Sequence, residues 1–77
     1  MIANNYQYMH YFNYHATIKK LIFENKLKGY YYCDEHNDIR PALVLLFDDI
    51  HHPIMPIREK RWQEYAQFLP PEKEIKR

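Results

Sequence analysis

Arg58, Arg61 and Trp62 are the residues of this chain best suited to grip a ligand. At i, i+3 and i+4 of a helix they are neighbours on one face. Planar guanidinium forks match the oxygens of a phosphate or carboxylate, and an indole beside them can stack on a base. With Arg58 opening the helix, N–H groups of the first turn would add to the pull on an anion. Arg40, just ahead of an apolar run, is a third cation for the same site. The competing reading puts the Trp62 ring in the core and the Arg heads in solvent or against Glu59 and Glu64, where surface pairs contribute little.

Other residue types suggest chemistry more weakly. Cys33 and His36 have a C-x2-H spacing, and Asp48, Asp49, His51 and His52 share one turn. A structural zinc site wants four ligands in paired spacings, and the chain has one cysteine, so no metal is expected. Cys33 as a nucleophile would need a base and an oxyanion hole, and no nucleophile elbow or phosphate loop is present. With a single glycine, a backbone cradle for phosphates is not expected either. The Asp48-Asp49 pair reads as a turn, since a hydrolase needs two carboxylates held across a cleft. No catalytic residue and no cofactor are assigned.

The elements that must position these residues follow from periodicity. Tyr14, Ile18, Leu21, Ile22 and Asn25 form one face of a helix over Tyr14–Lys28, with Asn13 as N-cap and Gly29 as the stop. Tyr30–Asp34 reads as a strand, followed by a turn at 35–38. Pro41–Phe47 is apolar on both faces, which predicts a central strand covered twice. Pro53–Ile57 carries two prolines and belongs at an edge. Arg58–Leu69 reads as a second helix, with Trp62, Tyr65, Phe68 and Leu69 on one side and Pro70 ending it. The expectation is an α+β fold: helix, three-stranded antiparallel meander, helix, with both helices on one face of the sheet. Residues 1–69 form one domain, on which a Tyr-rich segment, 1–12, packs. Residues 70–77 form a polar tail that frays.

Composition narrows the function. A chain of 77 residues buries a small core and gains from a metal, a partner or self-association. One cysteine permits no internal disulfide, which suits a reducing compartment. The start lacks the charged and apolar regions of a leader, and the longest apolar run is far short of the roughly 20 residues of a membrane span. A cytoplasmic protein without a membrane anchor is expected. Lys plus Arg number 11 against 10 Asp plus Glu, too balanced for a binder of long duplex nucleic acid. Eight tyrosines favour contact surfaces as much as a small core.

Several short motifs, Tyr11-Phe-Asn-Tyr-His-Ala16, Pro41-Ala-Leu-Val-Leu45, Pro56-Ile-Arg58, and Arg61-Trp62 with Tyr65, carry a resemblance. Over Tyr11–Tyr65 the chain resembles a family of small bacterial proteins labelled thermostable haemolysin delta-VPH. The resemblance brings no mechanism and no site residues. A haemolysin would need export and membrane insertion, for which this sequence shows no segment.

The residues together predict a non-catalytic binding protein that works as a homo-oligomer. It would sequester a phosphate-bearing ligand, a nucleotide or short oligonucleotide, at a subunit interface through Arg58, Arg61, Trp62 and Arg40. The alternative is an inhibitor or adaptor that binds a larger protein through a Tyr-rich surface of Tyr8, Tyr11 and Tyr30, Tyr31 and Tyr32.

Overall fold

A computed structural model describes residues 2–35 and 40–76, with residues 2–12 described by their backbone alone. The turn expected at 35–38 falls largely outside these residues. The element order is α1 (Ile2–Phe23), β1 (Leu27–Cys33), β2 (Ala42–Phe47), β3 (Ile54–Arg58), a 3-10 turn (Glu59–Arg61), α2 (Trp62–Ala66) and a second 3-10 turn (Pro71–Lys73). The sheet is a three-stranded antiparallel meander in the order β1-β2-β3, and the fold is α+β as its sequence predicts.

The first helix differs from expectation at both ends. It begins at Ile2, so Asn13 lies inside it and caps nothing. It ends at Phe23 because Asn25 takes a left-handed conformation, φ 61°. The Asn25 N–H bonds to the Ile22 carbonyl and the Lys26 N–H to the Leu21 carbonyl, each at 3.0 Å. This pair of bonds closes the helix C-terminus in a Schellman arrangement, which asparagine tolerates. Gly29, expected to be the stop, instead sits within β1. A β-carbon there would lie 2.9 Å from Cδ1 of Ile75 and 3.3 Å from the Lys73 carbonyl oxygen. Gly29 therefore permits close approach of the chain's end, not a helix turn.

β2 is central and apolar throughout. Leu43, Leu45 and Phe47 join Ile18 and Leu21 of α1, Tyr30 of β1, Met55 and Ile57 of β3, Tyr65 of α2 and Leu69 in one core. Ala42 and Val44, the alternate residues of β2, are also fully buried, while Leu46 is half-buried. Leu46 pairs with Gly29 on one side and Ile54 on the other, and Ile54 is 56% exposed. A bulge between Leu27 and Gly29 shifts the register by one. It lets Leu27 face the core while Gly29, two residues on, does not.

The expected second helix, Arg58–Leu69, is broken. Arg58 ends β3, the chain turns through a 3-10 segment, and α2 is only five residues long. Arg61 at φ −110° and ψ 1° separates the two pieces. The apolar spacing still works: Trp62 packs against the core, and Tyr65 and Leu69 are buried.

Beyond Pro70 the chain does not leave the body. The Ile75 N–H bonds to the Tyr30 carbonyl at 2.7 Å, Glu74 bridges Tyr30 in parallel, and the Lys73 ammonium bonds to the Leu27 carbonyl. Polar composition suggested fraying; the open edge of β1 supplies partners that composition does not reveal.

Candidate functional site

Three loops and strands bring the cations together. Arg40 precedes β2, Arg58 ends β3, and Lys60 and Arg61 follow in the 3-10 turn. With Glu59 they surround a cavity of about 630 Å³ whose apolar floor is Tyr14, Pro41, Pro56 and Ile57. His15 also lines it. Four cations and the Glu59 carboxylate line it, and of the cations Arg61 is already paired with Glu64 outside the lining. The size lies within the range of small-molecule sites.

Each arginine is held differently. Arg58 Nη1 reaches the Arg40 carbonyl at 3.5 Å, a weak bond. Arg61 makes a two-pronged pair with Glu64, Nε to Oε1 and Nη2 to Oε2, both 2.9 Å. Lys19 of α1 holds the same carboxylate at 2.8 Å. Hydrogen bonds from Arg61 and Lys19 pull the Glu64 carboxyl down to about 2. Arg40, Arg58 and Arg61 all make further interactions within the protein, so a ligand would compete for them.

Trp62 takes the other reading considered for it. Its indole N–H donates to the Ile57 carbonyl at 2.8 Å, and its ring meets Tyr32 edge to face at 5.0 Å. It does not line the cavity, whereas Tyr14 does. The Tyr14 hydroxyl donates to the Pro56 carbonyl at 2.7 Å, which fixes the ring. Burial, partly offset by the positive charge of Arg58, pushes that phenol up to about 12. The helix start proposed as an anion site is a three-residue turn leading into a five-residue helix, too short to supply one.

His15 is the residue the sequence reading missed. It is buried, and its Nδ1 and the Tyr65 hydroxyl are joined by a hydrogen bond of 2.5 Å. Burial, then the charges of Arg61 and Lys19, lower its pKa, with Glu64 opposing. The signal was present: His15, Ile18 and Ile22 stand at i, i+3 and i+7, which places the ring on the apolar stripe.

The remaining candidates do not converge. Asp49 Oδ2 accepts the backbone N–H of His52 at 2.9 Å and lies 3.0 Å from its Nδ1, a turn-closing arrangement that lowers the Asp49 pKa. Asp48 and His51 are exposed beside it. Among the described residues no group of three or more His, Cys, Asp or Glu could hold a metal. Cys33 is half-buried, and His36 lies outside the described residues. Of the tyrosines, Tyr30 is buried in the core at 5% exposure, which removes it from any contact surface. Tyr31 is half-buried and Tyr32 is 43% exposed. The side chains of Tyr8 and Tyr11 lie outside the description. No helix among the described residues is long and apolar enough to cross a membrane.

No protein family, curated protein or solved structure matches the chain. The resemblance over Tyr11–Tyr65 therefore rests on its short motifs alone.

Proposed function

We propose that this chain is a non-catalytic binding protein that works as a homo-oligomer and sequesters a phosphate-bearing ligand, a nucleotide or short oligonucleotide. The observation that supports this reading is the convergence of Arg40, Arg58, Lys60 and Arg61 around one apolar-floored cavity. Arg58 and Arg40 would take the phosphate oxygens, while Tyr14 and the prolines face the base or sugar. Arg61 joins them at the expense of its pairing with Glu64. The cavity is partly open to solvent, so a second subunit would supply the missing wall.

Calorimetry with nucleoside monophosphates and cyclic dinucleotides tests the reading. Arg58→Ala and Arg40→Ala should each weaken binding by about 1.5–3 kcal/mol, the worth of a hydrogen bond to a charged group. Arg58→Lys should recover only part, because an ammonium lacks the two-pronged fork. Absence of binding at millimolar ligand would overturn the proposal. Binding that both Arg variants retain would place the ligand elsewhere. A monomer without ligand would favour the adaptor reading through Tyr31, Tyr32 and the N-terminal tyrosines.

A further inference from the structure

His15 stands where a ligand in this cavity would feel its charge. It lines the cavity together with Arg58, Lys60 and Arg61, yet the residue is only 7% exposed. Tyr14 and Lys19 flank it on α1, Arg61 on the 3-10 turn, and Glu64 and Tyr65 on α2. We propose that filling the cavity with a multivalent anion draws one proton from solvent onto His15, so that ligand binding is coupled to proton uptake. This inference rests on the anion-binding reading of the cavity.

Two features carry it. The first is the hydrogen bond between His15 Nδ1 and the Tyr65 hydroxyl. A hydroxyl accepts as readily as it donates, so the partner survives when the imidazole becomes imidazolium. Nδ1 therefore keeps its partner in both protonation states, provided the Tyr65 O–H turns to another acceptor. The second is the neighbouring charge. Burial holds a proton off His15, Arg61 and Lys19 add to the effect, and Glu64 opposes it. An anion among the cavity's cations offsets the repulsion from Arg61 and Lys19, though not the burial, and supplies an opposite charge beside the ring. By linkage, whatever favours the proton when ligand is bound favours the ligand when the proton is bound.

The test uses inorganic sulfate and a cyclic dinucleotide, whose phosphate or sulfate charges are constant between pH 5.5 and 8. Titration calorimetry in buffers of different ionisation heat reads the protons taken up per ligand. The expected result is a fractional uptake approaching one, with the association constant rising by up to about tenfold per unit fall in pH. His15→Gln keeps a hydrogen-bonding group without titration, and should bind at pH 8 with no uptake. If that variant fails to fold, the imidazole resonances of His15 in the parent should still show its pKa rising on ligand addition. Binding with heats independent of buffer would overturn this inference and leave the anion site standing. Uptake that persists in His15→Gln would overturn it too. No binding of either probe would overturn both.

Discussion

Asn25 and Gly29 exchange the roles that their residue types suggest. Glycine is the commonest helix stop, but here asparagine takes the left-handed position and the glycine is spent on space. Reading Gly29 as a cap follows local statistics; only the approach of Ile75, 46 positions away, reveals why a side chain is excluded there. Gly29→Val should cost about 2 kcal/mol, a typical penalty for overfilling a packed site. Ile75→Ala in the same chain should recover about half of it, since the Lys73 carbonyl still crowds the added carbons. Urea unfolding of the two single variants and the double variant gives the coupling. Additive effects would show that the tail does not press on Gly29 in solution.

At the scale of elements, α2 is held by what surrounds it more than by its own five residues. Trp62 ties it to β3 through the Ile57 carbonyl, and Glu64 ties it to α1 through Lys19. Trp62→Ala should cost about 3 kcal/mol, from lost packing and a stranded carbonyl, read as a lower urea midpoint. Glu64→Gln should cost only about 1 kcal/mol at pH 7, because the carboxylate is 32% exposed and screened by solvent. The Glu64 pKa is lower folded than unfolded, so its contribution is complete above the ordinary value of 4.5 and fades as pH falls toward about 2. Melting curves of parent and Glu64→Gln should thus converge in acid. The sequence made the sheet legible: the two-faced apolar run of β2 and the prolines of β3 admit few other placements. The nearness of Arg58 and Arg61 was also legible, and Arg40 lines the same cavity, while Trp62 does not. The length of α1 was not, because the stretch from Ile2 to Phe12 interleaves apolar and polar residues without a stripe. Nor was the break at Arg61, where a continuous apolar spacing hides a change of helix type.

For the whole molecule, the most exposed large apolar groups among the described residues, Ile50 at 91% and Phe23 at 70%, stand apart, at the β2–β3 turn and the end of α1, while Ile54 and Ile75 share a neighbourhood. Ile54 and Ile75 lie on either side of the half-buried Leu46, and Tyr31 pairs with Val44 in the next row. Self-association through this surface fits the proposed oligomer, and we expect a dimer or larger at micromolar concentration. Ile54→Lys should shift it toward monomer without changing the fold. Sedimentation equilibrium of the parent as a 9.6 kDa species at high concentration would refute this.

The pairing of Ile75 with Tyr30 has a consequence for how copies of this protein can meet. A bare strand edge is a template on which another strand can lay down and continue indefinitely into a fibre. Here β1 has its edge carbonyl at Tyr30 occupied by the Ile75 N–H. On the far side, Pro56 has no N–H to offer and its carbonyl is taken by Tyr14. Each margin is thus blocked at one position or more, which disfavours open-ended strand addition. Ile75→Pro removes the backbone donor at Tyr30 and leaves only the Lys73 bond to the Leu27 carbonyl on the described part of that margin. That variant should gain thioflavin fluorescence and fibrillar scattering on prolonged incubation while the parent stays clear, and equal behaviour of the two would show that the margin is guarded by something else.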